Sequence, residues 1–562
     1  MRHGGSGTHQ RGRRALGPVA VSGLAAIAVL AFGTVAVAAT GTIVLSKHGP
    51  ATEGPYPYAY PASGHVKAGT GKTVAGIACK PGVGQFPGPY AAPCVAKYTG
   101  SNGGATANGV TGSTITLAQV QYPTTANAQE LEAEAKQAGD APQPTITQVE
   151  QVFLKYFNQV YDLYGRHVVI KPVTATGTYT QELLDQDQTQ ACADVTTIVS
   201  QVHAFAEAGL PYNLEGAGTA PFSKCAAQQH LVEFEGNLYY GETVFQSENP
   251  YVWSTTPSCT NIAAQMADVI GTELAGKKAI YAGTATLKRS VRKFGTFIPN
   301  VNSYIGCNGS PSSTEVKLLT TKYHVPKSAV DTFFHYDLDI ATFQQSAQQA
   351  IVQFKAAHVT TIVLACDPFS LGFLTKAAKA QNYHPEWLLE GTALTDTDNE
   401  AQTYTPTEID GHMFGVSEAN ATQDIYGPGS PAGKLYKKLT GHTIPAETTG
   451  DYGVLVNDFN ALQAAGPDLT AANLARGMHA LPVLGAPTYA YGAQSYNWSP
   501  TGKKGGGNHS SLLNARFVWW TPHKTSPVNT KPGSFVAIDN GKRFGLGQWP
   551  KSLPKLFVAT TS

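Results

Sequence analysis

Charge is what this sequence has least of. Only 14% of its residues are charged, and Lys plus Arg number 39 against 38 acids, so no excess of either sign draws the chain to nucleic acid or to an acidic polymer. Catalytic signatures are missing too: there is no G-x-S-x-G nucleophile elbow, no H-E-x-x-H metalloprotease motif and no G-x-G-x-x-G after a strand. "VKAGTGKTVAG" comes near a phosphate-binding loop at Gly71-Lys72-Thr73, but Val66 stands where that loop needs its first glycine. "EGAGTAP" breaks the dinucleotide pattern at Ala220–Phe222, and "GPGSPAG" has the wrong spacing for an elbow. Without a C-x-x-C pair or histidines at ligand spacing, neither a metal nor a cofactor is expected. Asp337 and Asp339, or Asp396 and Asp398, are close enough in sequence to pair as catalytic carboxylates, but they read better as solvated loop and helix-capping acids. The chain is not read as an enzyme.

What is present begins with 42% hydrophobic residues, 58 Gly and 35 Pro in a 562-residue chain, which predicts real cores joined by many turns and more than one lobe. Residues 1–14 form a basic flank with Arg2, Arg11, Arg13 and Arg14 and no acid, and Ala15–Leu45 then runs without a charge. This order predicts a signal or transmembrane segment that places the rest of the chain outside the cytoplasm, secreted or membrane-anchored. Its length favours an uncleaved anchor and Ala36-Val37-Ala38 offers a cleavage site, so both fates stay open. Residues 46–108, rich in Gly, Pro, Ala and Tyr, read as a flexible spacer.

Seven cysteines in an oxidising compartment should mostly pair. Cys79 and Cys94 stand alone in the spacer and are each other's obvious partners. Cys192 and Cys225 come next in order, and among Cys259, Cys307 and Cys366 one must be left over.

From Ile115 onward, strand and helix patterns alternate. "ITLAQV" and "HVVIKPV" read as strands, separated by a helix whose face carries Phe153, Phe157, Val160 and Tyr164. "AFAEAG", "LVEFEG", "KAIYAG" or "KFGTFI", "TTIVLAC" and "EWLLEG" follow as strands with helices between them. This predicts an α/β protein with two lobes, each a parallel sheet flanked by helices. Ligands of such sheets bind beyond the carboxyl ends of the strands. The loops there include "QYPTTAN" with Tyr122 and "ATGTYTQE" with Tyr179; they are rich in Tyr, Thr, Ser and Asn, which suits a small polar or amphipathic solute.

From about Gly109 to Trp520 the chain resembles type I periplasmic binding proteins, the branched-chain amino acid (leucine) binding group of ABC-transporter substrate-binding proteins. The resemblance lies in the order and spacing of "GVTGSTITLAQV", "FLKYFNQVYDLYGRHVVI", "DQTQACADVTTIV", "LAGKKAIYAG", "VRKFGTFIP", "VQFKAAHVTTIVLACDP", "AAKAQNYHPEWLLEG" and "LQAAGPDLTAANLARGM". It implies a two-lobed clamshell that closes on a solute and presents it to an ABC transporter permease. It also implies a disulfide between Cys192 and Cys225. Gly218 and Thr219 would take the ligand carboxylate, Tyr239 would close the first lobe's side, Tyr304 would be the second lobe's aromatic clamp, and Glu390 or Asp367 the amine-binding acid. The chain departs from the family at "VYDLYGR" and "YPTTAN", which leaves the solute class open between amino acid-like and amide-like. A membrane-anchored ligand-sensing ectodomain and a cell-surface structural or adhesion protein of the same fold are the alternatives. The expected organisation is lobe 1 over 109–250 and 420–480, lobe 2 over 251–419 and 481–545, and a tail over 546–562, with chain crossings near 245–258, 412–425 and 480–492.

Overall fold

The computed structural model describes residues 71–558 except 81, 89, 139–142, 211–217, 237–238, 392, 418–426, 446–447, 486–494, 499–507 and 551. They lie in one compact unit, Ile43–Ser562. The basic flank, the segment 15–45 and the first part of the expected spacer fall outside the described residues. Among those described, no helix is long and apolar enough to cross a membrane.

The first sheet pairs β1 (Thr114–Gln121), β2 (His167–Thr174), β3 (Ala206–Glu207) and β4 (Val232–Glu233) in the order β2-β1-β3-β4, all parallel. The β1 sequence TITLAQVQ is buried from Ile115 to Val120, as a strand covered on both faces requires. The helix Gln143–Val160 covers this sheet through Phe153 and Phe157, and Tyr164 lies past its end with φ 61°. The helices Thr449–Ala465 and Ala471–Ala480 return from late in the chain to the same core through Phe459, Leu462 and Leu474.

The second sheet contains β5 (Phe294–Pro299), β6 (Thr332–Tyr336), β7 (Thr361–Leu364), β8 (Glu386–Leu389) and β9 (Met413–Ser417), mutually parallel in the order β9-β8-β7-β5-β6. A short antiparallel pair, β10 (Leu484–Gly485) and β11 (Ser495–Tyr496), precedes β12 (Asn514–Thr525), which joins the second sheet beside β9 and carries β13 (Pro532–Ala537) and β14 (Phe544–Gly545). The expected parallel sheet holds for the first lobe and for β5–β9 of the second, whose edge departs from it, because β12 runs antiparallel to β9, β13 and β14. "KAIYAG" forms no strand; of the two candidates, "KFGTFI" does.

The spacer reading is also corrected for its described part. Phe86, Tyr90, Ala92 and Val95 are buried in the first core, with the Phe86 ring 5.5 Å from that of Phe157. The Gln85 side chain donates to the Val160 carbonyl at 2.9 Å and accepts from the Val95 amide at 2.8 Å, while Asn460 accepts from Ala92 and donates to the Tyr90 carbonyl. Gly and Pro let this strap follow the surface, but its aromatic residues bury too much apolar area for it to stay free.

Three disulfides form, Cys79–Cys94, Cys192–Cys225 and Cys259–Cys307, and Cys366 is a buried free thiol. The two pairs named from the sequence are thus both made, and the open choice resolves in favour of Cys259 with Cys307. The chain first crosses between the sheets at Val252–Ser258, where Glu233 bridges Val252 and Ser254 bridges Ser510. Residues 508–512 form a second strand of the crossing, and residues 418–425 and 486–492 of the other two expected crossings lie outside the described residues. The Trp253 ring stacks on His509 at 4.3 Å between centroids.

Candidate functional site

The carboxyl ends of the two sheets face a common region, and the loops that leave them bring the expected residues to it. Tyr122 follows β1, and Tyr179 opens the short helix Tyr179–Leu183 after β2. Gly218 and Thr219 precede the helix Ala220–Gln228 after β3, and Tyr239 follows β4. From the second sheet come Tyr304 in the helix Asn302–Asn308 after β5, Asp367 after β7, and Glu390 at the end of β8.

On the first sheet the residues are joined by an acid that the sequence reading missed. Glu182 is fully buried, and its Oε2 accepts from the Tyr122 hydroxyl at 2.9 Å and from the Thr219 hydroxyl at 2.8 Å. Tyr122 packs edge-on to Tyr179 at 5.5 Å. Thr219 is also the N-cap of its helix and accepts from the Phe222 amide at 3.3 Å, with Pro221 in the first turn. Gly218 holds φ at +78°, a conformation that costs a residue with Cβ energy and that turns the chain into this cap. Burial pushes the Glu182 carboxyl up to about 7, against the pull of the Thr219 and Tyr122 hydrogen bonds. Burial foremost, with Glu182 beside it, pushes the Tyr122 phenol well above its ordinary range.

On the second sheet Glu390 is fully buried, accepting from the Tyr304 hydroxyl at 2.5 Å and from the Asn308 amide. Burial pushes its carboxyl up to about 8 although both partners pull it down. Glu390 is thus an interior acid at a strand end. Asp367 caps the helix Pro368–Ala380 by accepting from the Ser370 amide at 2.8 Å, and its other oxygen accepts from the Tyr336 hydroxyl at 2.5 Å. Its carboxyl is raised by burial. The two sheets therefore use one device: a polar N-cap followed by proline begins a helix at each side of the region.

The two sides meet through Tyr239 and Tyr304, whose rings are 4.6 Å apart. Leu183, Tyr239, Val301, Tyr304 and Cys307 form one apolar cluster, against which Tyr179 and Leu184 also pack. Asn127, from the helix Ala126–Ala138 beside the first sheet, accepts from the Ile340 amide beside the second at 3.0 Å. The loops of the two sheets are thus in contact in this structure.

Of the acids read as solvated, Asp339 behaves as read and caps the helix Ile340–Ala356. Asp396 and Asp398 do not. Both are buried, Asp396 accepting from the Ser417 hydroxyl at 2.6 Å and Asp398 from the Phe535 amide at 2.8 Å. They tie the loop after β8 to the strands beyond it, a long-range role invisible in "TDTD".

No protein-family model matches the chain, and no curated protein matches it. Among solved structures, it is similar to a substrate-binding protein of an ABC transporter from Aeropyrum pernix, at 13% identity and TM-score 0.49, over 77% of this chain and 96% of that one. It is also similar to a solute-binding protein of an ABC transporter from Rhodopseudomonas palustris BisB5 in complex with 3,4-dihydroxybenzoic acid, at 12% identity and TM-score 0.48, over 77% and 98%. A possible leucine/isoleucine/valine-binding protein from Rhodopirellula baltica SH 1 is similar at 9% identity and TM-score 0.48, over 76% of this chain and 96% of that one.

Proposed function

We propose that this chain is an extracytoplasmic solute-binding protein that captures a small organic solute between two lobes and presents it to an ABC importer. The observation that carries this reading is the convergence of Tyr122, Tyr179, Thr219 and Tyr239 with Tyr304, Asp367 and Glu390 at the carboxyl ends of two separate sheets. A ligand seated there touches both lobes at once, so it favours the form in which they are in contact. A permease can then tell loaded from empty protein. The disulfides suit an oxidising compartment outside the cytoplasm. The acids of the region, Glu182, Glu390 and Asp367, each hold protein hydroxyls or amides in place, which supports recognition rather than proton transfer to a substrate.

The test is a melting screen of the full chain against amino acids, short amides, amines, polyols and aromatic acids. A ligand that binds only the folded state at a hundredfold excess over Kd stabilises it by about 2.7 kcal/mol, which a melting curve resolves. A chain whose melting point no class of compound shifts is not a solute-binding protein.

A further inference from the structure

We propose that the cleft selects an organic cation, an ammonium or quaternary amine carrying no carboxylate; this specificity rests on the solute-binding reading above. The first observation is one of charge. The segments that leave the carboxyl ends of the parallel strands β1–β8 span residues 121–126, 175–187, 208–219, 234–242, 300–308, 337–340, 365–370 and 390–398. Among their described residues there is not one Lys, Arg or His, while Glu182, Asp185, Asp367 and Glu390 are among their acids. Where these acids are ionised, a carboxylate entering this region meets like charges and, among the described residues of these segments, no counter-ion, whereas a cation meets acids.

The second observation concerns the hydroxyl that the family resemblance assigns to a ligand carboxylate. The Thr219 hydroxyl already donates its single proton to Glu182 at 2.8 Å, and its oxygen already takes the Phe222 amide. A ligand carboxylate at Thr219 would compete with Glu182 for that proton and would lie beside a second carboxylate. The same geometry welcomes positive charge. Glu182 Oε1 is buried and has no hydrogen-bond partner among the described residues, although Oε2 of the same group has two. A buried acceptor left in that state costs free energy that a donor or a positive charge beside it recovers.

The third observation is the aromatic content around these acids. Tyr122 packs on Tyr179, and Tyr239 on Tyr304, on the two sides of the same region. Ring faces joined to carboxylates are the chemistry that recognises ammonium and quaternary ammonium groups, through the negative face of the ring and the full charge of the acid.

The experiment measures the melting point of the full chain at pH 8 with choline, isoamylamine, leucine and 4-methylpentanoate; isoamylamine is leucine without its carboxylate and 4-methylpentanoate is leucine without its amine. Choline or isoamylamine should raise it, and leucine and 4-methylpentanoate should not. Glu182→Gln should weaken the response to the cation by about tenfold, with the circular dichroism of the free protein unchanged. Should that variant fail to fold, the wild type still decides. Choline affinity should rise from pH 6 to pH 8.5 as Glu182 and Glu390 ionise, since the groups facing them (Asp187, Asp194, Tyr122 and Thr219 around the first, Glu315, Tyr304 and Asn308 around the second) include no base. A response to leucine or 4-methylpentanoate equal to that of the amines, or a choline affinity that is flat or falls with pH, overturns the cation specificity and leaves solute binding standing. Silence from these four and from the whole wider panel overturns both.

Discussion

The Tyr239 ring lies 4.6 Å from the Tyr304 ring at an interplanar angle of 40°, and the Tyr304 hydroxyl reaches on to Glu390 at 2.5 Å. One side chain thus ties the segment leaving the first sheet to an acid at the end of a strand in the second. Tyr304→Phe keeps the ring and deletes the donor. It is expected to destabilise the fold by about 1–3 kcal/mol, the cost of a buried acceptor that loses a partner. Urea denaturation measures this, and an unchanged midpoint would mean that the hydroxyl does not hold Glu390.

A second expectation follows from the raised carboxyls. Burial pushes Glu233 and Glu390 up to about 8 and Glu182 and Glu235 up to about 7, from an ordinary 4.5. A carboxyl whose folded-state pKa lies above its unfolded value binds its proton more tightly in the folded chain. Its stabilising contribution is therefore complete below about pH 4.5 and is lost as pH rises through 7 and 8. The melting point should fall between pH 5 and pH 8, and Glu390→Gln, which cannot ionise, should make that fall shallower. A melting point that rises over the same interval contradicts the assignment of these groups.

Much of this architecture is legible in the sequence because it is written in short-range pattern. "ITLAQV" and "HVVIKPV" are β-branched runs with turns beside them, and Ile262 and Met266 mark the face of the helix Cys259–Val269. The carboxyl-end rule then collects Tyr122, Thr219, Tyr304 and Glu390 without any knowledge of distances. What the pattern cannot carry is partnership at long range. Glu182 sits in an ordinary "TQELL", and only the fold brings it to Tyr122 and Thr219, 60 and 37 residues away in sequence. "GVGQFPGPYAAPC" has the composition of a spacer, yet its burial depends on Asn460, which lies 368 residues beyond Ala92.

That strap supplies a third expectation. Phe86 is buried against Phe157 and Tyr161, so Phe86→Ala should cost about 3–5 kcal/mol, as an emptied aromatic site in a core does. Lys72 is exposed, and Lys72→Ala should leave the melting point unchanged. Calorimetry of both variants separates a packed strap from a spacer, because in a spacer the two substitutions are equally silent.

The Cys259–Cys307 bridge fastens the start of the helix Cys259–Val269 to the helix that carries Tyr304, closing a separation of 48 residues. Replacing both cysteines by alanine should lower stability by about 2–4 kcal/mol and should loosen Tyr304 along with it. Peptide mapping without reduction should recover Cys79–Cys94, Cys192–Cys225 and Cys259–Cys307, with Cys366 alone alkylated after unfolding. A mixed pair such as Cys94 with Cys225 would contradict the placement of the strap and of the helix Ala220–Gln228.

The crossing between the sheets decides whether contact between their loops is a choice or a fixture. Glu235, just past β4, accepts from the Ser254 hydroxyl at 3.0 Å, from the Thr255 amide at 2.9 Å and from the Thr255 hydroxyl at 2.8 Å, and so holds the first crossing strand along its length. Across the cleft the corresponding contact is lighter, a side-chain oxygen of Asn127 on the Ile340 amide. Substituting Glu235 by alanine removes several hydrogen bonds to one carboxylate at the crossing and leaves the two cores untouched, whereas Asn127→Ala removes a contact that exists only while the lobes meet. Both variants should shift the population toward a more open form, Glu235→Ala by freeing the crossing and Asn127→Ala by weakening the closed side. Small-angle scattering reads this as a larger radius of gyration than the wild type, reversed on saturation with a ligand that spans both lobes. Should the radius stay the same in both variants, with and without ligand, the lobes form one rigid body, and a permease could not read occupancy from closure.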